Sequence, residues 1–412
     1  MPARMPARLP RLLVFSSLFP HAAAPATGSF VRERMFRVGQ QLPLAVVSPR
    51  PASPADALVR RFRPRYRTPA PRGEQQQGFA VQFPRFPSIP GLFRGGDGLM
   101  MALGCLPLLY RQRHTFDLID AHFAYPDGYA ATRLGHWLGK PVTVTLRGTE
   151  VPHSRDPTKR RRLIETFRDA DHLFTVAGSL ARLAINLGAD PAKVQVVGNG
   201  VDLARFRPLD RAAARARFGL PATAEVLISV GGLVERKGFH RVIEVMPELL
   251  RKHPRLVYMI VGGAGPEGDY AQSLRDQIAA LGLNDRVRFL GQVAPDRLAE
   301  PLSAADCFVL ATSNEGWANV FLEAMACGLP VVTTDVGGNP EVVSDDTLGT
   351  IVPFGDARDL ADAISAALNR NWDRAAIRAY AERNPWEQRV ATLVQAFERI
   401  AADHRGSHKE RY

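Results

Sequence analysis

From about residue 223 onward the apolar positions follow two alternating rhythms. Short β-branched runs close on glycine or small residues: "EVLISVGG" (225–232), "RLVYMIVGGAGPE" (255–267), "RVRFLGQV" (286–293), "DCFVLAT" (306–312) and "PVVTTDVGG" (330–338). Between them, segments such as "FHRVIEVMPELLRKH" and "YAQSLRDQIAALGL" place apolar residues every three or four positions. Runs apolar on both faces predict strands of a parallel sheet, and the amphipathic segments predict the helices that cover it. Ligands of doubly wound sheets bind at the carboxyl ends of the strands, where these glycine-rich loops fall.

The first half repeats the pattern more loosely. "RLLVFSSL", "LAVVSP", "FDLIDAHF", "PVTVTLRG", "HLFTVAG" and "VQVVGNG" read as strands, with helices near 28–38, 127–138, 157–168 and 178–187. Residues 50–95, rich in Pro, Arg, Gln and Gly, suggest a long mobile loop. A chain of 412 residues exceeds one hydrophobic core, so the expectation is two Rossmann-like α/β domains. They cover 1–197 and 223–384, joined by a linker over 198–222. "WEQRVATLVQAFERIAADH" predicts a final helix over 385–404, followed by a frayed tail over 405–412.

Composition is that of an ordinary globular protein, but charge is not evenly spread. Net charge is +12, and residues 1–200 hold 28 Lys and Arg against 13 Asp and Glu, leaving the second half slightly acidic. "RRFRPRYR" (60–67) and "KRRR" (159–162) supply much of the excess. Such a one-sided basic domain suits an anionic partner, a membrane inner leaflet or a nucleic acid. The arginines lie in proline-rich stretches without interleaved stacking aromatics, which argues against nucleic acid.

Cys105, Cys307 and Cys327 have no paired spacing, so neither a disulfide framework nor a zinc site is expected, and a cytoplasmic setting follows. The histidines form no metal-ligand pattern either, so no protein-held metal is expected. The run "LMMALGCLPLLY" (99–110) is too short to span a bilayer and reads as a core helix. The N-terminus resembles a secretory signal only superficially, since its apolar run is short and stops at Pro20; the repeated "MPAR" permits a start at Met1 or Met5.

Candidate chemistry concentrates in "EGWANVFLEAMACGLPVV", where Glu315 and Glu323 stand eight positions apart. A strand delivers the chain to the sheet edge, and a helix begins near Asn319 and ends at Gly328 and Pro330. The unpaired first-turn amides and the helix dipole favour a phosphate there. Carboxylates repel phosphate but accept strong hydrogen bonds from hydroxyls. The combination suits a ligand with an anionic middle and polyhydroxylated ends, a nucleotide sugar. Taken alone, Glu323 also reads as a first-turn carboxylate that merely favours the dipole.

This segment, with its E-x7-E spacing, resembles the donor site of glycosyltransferase family 4, the retaining family with the GT-B fold. "VGNGVDLARFRP", "ISVGGLVERKGF", "VGGAGPE" and "RVRFLGQV" fall in that family's order, and the likeness spans roughly residues 10–400. It implies two Rossmann-like domains facing across a cleft, an acceptor-binding first domain and a last helix crossing back to it. It further implies that Glu315 binds the donor sugar and Glu323 the ribose, while Gly316 and the amides of Ala318, Asn319 and Val320 meet sugar or phosphate. Lys237 meets the leaving phosphate. Many members carry an arginine where Gly232 stands, and Arg236 is the candidate to replace its charge.

By the same likeness Arg288, Phe289 and Leu290 border the base, Gly28 approaches the diphosphate, and His122 lies near the reacting sugar. "TLRGTE" contributes Arg147, Gly148 and Glu150 at the acceptor side. The implied reaction moves a hexosyl unit from a UDP- or GDP-sugar to a glycan or lipid-linked acceptor by front-face substitution. No cofactor beyond that co-substrate is expected, and the setting is the cytoplasm, at the inner face of the membrane. A nonhydrolysing sugar-nucleotide epimerase and a basic nucleic-acid-binding protein are the alternatives.

Overall fold

The computed structural model describes residues 8–25, 27–62, 66–88, 95–265 and 268–409. The alternative start sites Met1 and Met5 lie outside them. The chain forms two compact units, one from the segment up to Gly198 together with the segment from Arg389, the other from Asn199–Gln388.

The first unit is built on a sheet whose parallel strands are β1 (Leu12–Phe15), β2 (Leu44–Val47), β5 (Phe79–Gln82), β7 (Leu118–His122), β8 (Val142–Leu146), β9 (His172–Thr175) and β10 (Val194–Val196). Spatial order is β10-β9-β8-β7-β1-β2-β5-β4, and only β4 (Gly73–Gln76) runs antiparallel, in a hairpin with β5. A small pair, β3 (Arg50–Ala52) with β6 (Arg85–Pro87), lies beside it. The direction of winding changes between β1 and β7, so the loops that follow these two strands converge.

The second unit contains β11 (Glu225–Val230), β12 (Leu256–Val261), β13 (Val287–Gly291), β14 (Cys307–Leu310), β15 (Val331–Thr334) and β16 (Gly349–Val352). Their order is β13-β12-β11-β14-β15-β16, every pair parallel. Alternate side chains serve opposite cores: Val226 and Ile228 join one apolar cluster and Leu227 the other. That two-sided burial explains the continuous apolar runs in the sequence. Winding reverses between β11 and β14, and the loops after them meet at the switch point.

Several expectations change. Residues 50–95 were expected as one long loop, yet the described part holds β3 to β6 and a helix over Asp56–Phe62. The β4–β5 turn uses Gln77 (φ 50°) and Gly78 (φ 87°), a left-handed pair that matches hairpin twist. Short strands without alternation leave little periodicity to read. The linker is also shorter than expected, because the chain changes unit at Gly198 and the helix Arg211–Arg217 belongs to the second unit. Arg215 from that helix is buried and donates to Asp306 at 2.7 Å.

The last helix runs Trp386–Lys409, past the expected end at 404 and through most of the supposed tail, whose residues 410–412 lie outside the described set. Val390, Leu393 and Phe397 join the first unit's core, with Phe397 edge-on to Phe174 at 5.5 Å. The run over 99–110 lies in the helix Asp97–Gln112, which buries Met101, Ala102, Cys105 and Leu109, as expected of a core helix. The three cysteines are free and buried. Among the described residues no helix is long and apolar enough to cross a membrane.

Candidate active site

In the second unit the chain leaves β11 through Gly231 and Gly232, makes a tight turn over Glu235–Lys237 and enters the helix Phe239–Lys252 at Gly238. Gly238 has φ 74°, and a Cβ there would meet the Ala311 carbonyl oxygen at 1.8 Å. Only glycine lets this turn lie against the loop after β14. Ser313 N–H and Thr312 Oγ1 both donate to the Arg236 carbonyl, at 2.8 and 3.0 Å. Two loops far apart in sequence are thus stitched together at the switch point.

The stitching fixes the charged groups. Lys237 Nζ donates to Glu315 Oε1, Thr312 Oγ1 reaches the same oxygen at 3.4 Å, and Arg236 Nη1 stands 3.5 Å from it. Glu315 is buried, Lys237 largely so, and Arg236 about one-third exposed. On the other side Gly337, at φ 56°, packs so closely that a Cβ would meet the Glu315 carbonyl oxygen at 1.7 Å. Two cations therefore converge on one carboxylate, which leaves net positive charge at the sheet edge.

The helix Asn319–Ala326 begins where the sequence placed it, capped by Ala318 without a side-chain hydrogen bond. By helix geometry the amides of Asn319 and Val320 have no partner within the helix, whereas Phe321 N–H turns back to the Ala318 carbonyl at 3.0 Å. Gly316 is buried in the approach, and Val320 packs against the core. Asn319 Oδ1 accepts from Asn199 Nδ2 at 2.7 Å. Glu323 is half-buried and lies beyond the first turn, which contains no acidic residue, so dipole stabilisation does not explain it.

Arg288, Phe289 and Leu290 do not converge as side chains. Arg288 Nη1 donates to the Phe218 and Gly219 carbonyls, Phe289 packs into one core under Arg275, and Leu290 packs against the other. The strand's two-residue period separates them, so only backbone there is shared. Gly232 has ordinary space, its Cβ position lying 3.6 Å from Gly265 Cα.

In the first unit Gly28 is the αL N-cap of the helix Ser29–Gly39, and a Cβ would meet the Leu18 carbonyl oxygen at 2.2 Å. His122 ends β7 as expected, but it is fully buried. Arg147 Nε donates to its Nδ1 at 3.1 Å, and Asp120 Oδ2 lies 3.3 Å from Nε2. Burial lowers the His122 pKa to about 4; Asp120 opposes this and Arg147 adds to it. The ring is neutral at neutral pH.

Glu150 is not an open acceptor group. Its carboxylate accepts from the backbone N–H of Ala124, Arg147 and Gly148 at 2.9, 3.1 and 2.8 Å, so it pins the loop that carries Arg147.

Three buried groups escaped the sequence reading. Asp127 accepts from Ser17 N–H and from Ser17 Oγ at 3.0 Å, and burial raises its pKa to about 7. Arg34 is fully buried and donates to the Val197 carbonyl at 3.0 Å. Asn199, also buried, falls in the expected linker. The "NG" after an apolar run marked a strand end, but nothing local linked it to residue 319.

The comparisons with known proteins agree with this geometry. The family model described as "Glycosyl transferases group 1" matches residues 210–384, and "Glycosyltransferase Family 4" matches residues 54–205. A D-inositol 3-phosphate glycosyltransferase from Saccharomonospora viridis is 33% identical over 314 residues, covering 72% of this chain and 73% of the relative. Sucrose-phosphate synthase from Thermosynechococcus elongatus superposes with a TM-score of 0.74 at 22% identity, over 96% of this chain and all of the other. Anabaena HepE in complex with UDP-glucose gives 0.72 at 21% identity, again over 96% and 100%.

Proposed function

From the premise that this chain belongs to the group 1 and family 4 glycosyltransferases and is a hexosyltransferase, we propose that it uses a UDP- or GDP-sugar and retains anomeric configuration. The second unit holds the donor, and the first receives a glycan or lipid-linked acceptor in cell-surface polysaccharide synthesis. The observation that supports this most strongly is the convergence of Lys237 and Arg236 on buried Glu315, next to a helix start without a side-chain cap.

In this reading the diphosphate takes up the surplus positive charge beside Lys237 and the amides of Ala318 to Val320. Glu315 accepts from sugar hydroxyls and Glu323 from the ribose. The acceptor hydroxyl attacks the anomeric carbon on the face from which the diphosphate leaves. The bond from that carbon to the β-phosphate oxygen breaks, and the acceptor proton passes to the leaving phosphate. His122, neutral and rigidly held, lies near the reacting sugar. Negative charge that grows on the phosphate meets fixed donors, the kind of preorganised electrostatics that dominates such catalysis. These cations do the work without a metal ion, so turnover is expected to survive EDTA.

The first unit also has features that suit an anionic membrane. Arg67 Nη1 donates to Asp56 at the start of the helix Asp56–Phe62 and to the Ser88 carbonyl, and Arg162 Nε donates to the Gly95 carbonyl just before the helix Asp97–Gln112. On the helices of this unit Leu58, Phe62 and Leu103 are exposed, as are Arg155, Arg160 and Arg161. Apolar side chains among arginines suit shallow insertion between acidic headgroups.

A thermal-shift panel of UDP, GDP and ADP and their glucose conjugates tests the donor reading. A ligand at a hundred times its dissociation constant should add about 2.7 kcal/mol of stability. A response to none of the nucleotides would refute the proposal.

A further inference from the structure

We infer that Arg147 is a positioning residue whose Nε–H, donated to His122 Nδ1, holds the imidazole in the single neutral form that carries its proton on Nε2. An Nδ1 that accepts cannot also hold the proton, so the neutral ring keeps it on the other nitrogen. The contact joins neighbouring strands: His122 is the last residue of β7 and pairs with Thr145 of β8, two positions before Arg147.

The arginine is itself fixed. Glu150 anchors its backbone, and the Phe30 ring centre lies 5.3 Å from Cζ. The charged groups that face the ring are Asp120 on its own strand, Arg147 beyond β8 and Arg34 from the helix Ser29–Gly39. A protonated ring would turn Nδ1–H against a guanidinium, so the same contact that selects the tautomer opposes imidazolium.

On the far side of the ring, buried Nε2 faces Asp120 Oδ2 at 3.3 Å, and Asp120 Oδ1 accepts from Thr143 at 2.7 Å. A proton on Nε2 meets this carboxylate, so the Asp120 side and the Arg147 side favour the same neutral form. Arg147 fixes it from the Nδ1 side. The consequence for turnover rests on the proposed role of His122 at the sugar; the consequence for the ring does not.

The test is side-chain nitrogen NMR of the full, ligand-free chain labelled at histidine, between about pH 5 and pH 8, where an unperturbed ring titrates. The His122→Asn variant identifies the signal. The wild-type ring should keep a bare Nδ1 and a protonated Nε2 throughout. In Arg147→Met it should populate both tautomers or titrate within the range. Arg147→Gln, which retains a donor without the charge, should keep the tautomer and titrate at higher pH than the wild type.

A ring unchanged in Arg147→Met overturns the proposal. Should that variant fail to fold, as judged by circular dichroism, an unchanged titration in Arg147→Gln overturns it instead. In parallel, UDP release from UDP-glucose should show kcat reduced about tenfold or more in Arg147→Met with KM nearly constant, the pattern of a lost transition-state contact. If His122→Asn turned over UDP-glucose like the wild type, the reading of His122 would fall, while the NMR result would still decide the role of Arg147.

Discussion

Replacing Lys237 by methionine separates catalysis from stability. The side chain is 15% exposed and its partner Glu315 9%, so the variant leaves a buried carboxylate without its nearest cation. Breaking a fully buried pair costs about 3–5 kcal/mol. Here Arg236 remains at 3.5 Å and Thr312 at 3.4 Å, so the expected loss is smaller, about 1–2 kcal/mol.

A protein of ordinary stability, about 5 kcal/mol or more, would still be about 99% folded after such a loss. Turnover should fall far more. Removing one preorganised donor from a developing oxyanion typically costs about 10²–10³-fold. The assay pairs urea unfolding with UDP release from UDP-glucose. Adding Glu315→Gln removes the stranded charge, so the double variant should regain most of the stability and none of the activity. Turnover of Lys237→Met within about threefold of wild type would refute the electrostatic role. So would a loss of rate that tracked the unfolded fraction.

Gly238→Ala must place a Cβ on the Ala311 carbonyl at φ 74°; it should destabilise by roughly 1–3 kcal/mol and weaken nucleotide binding, as read by calorimetry. Asp127 titrates near 7 when folded and in the ordinary carboxylate range when unfolded, so between roughly pH 4 and pH 7 the folded state binds the extra proton and stability declines as pH rises. Asp127→Asn should remove that component, measured as a shallower pH dependence of urea unfolding; an identical slope would contradict it. Phe62→Ser with Leu58→Ser should reduce co-sedimentation with phosphatidylserine vesicles, and wild-type binding should fall as salt rises. Binding indifferent to salt and to lipid charge would contradict the membrane contact.

Much of the second unit was legible because its strands are buried on both faces, so apolar runs and glycine loops mark each element directly. The helix start at Asn319 followed from the same punctuation. What could not be read was side-chain direction. That Lys237 meets Glu315, 78 positions away, depends on Gly238 seating one loop on the carbonyl of Ala311. Arg288, Phe289 and Leu290 stand together in sequence, but the strand period sends neighbouring side chains to opposite faces.

The first unit was harder because its chemistry is buried and non-local. Asp127 finds Ser17 across 110 positions, and Arg34 finds Val197 across 163. His122 was legible as a strand end, whereas its enclosure by Arg147 and Asp120 was not. Residues 50–95 misled through composition: proline and arginine obscured short strands that pair with one another.

The most direct test of the donor site is a crystal structure of the chain with a bound UDP- or GDP-sugar. The account places the diphosphate against Lys237 and the amides of Ala318 to Val320, with Glu315 toward the sugar and Glu323 toward the ribose. A diphosphate bound elsewhere, with the Lys237–Glu315 pair and the helix start untouched, would contradict it.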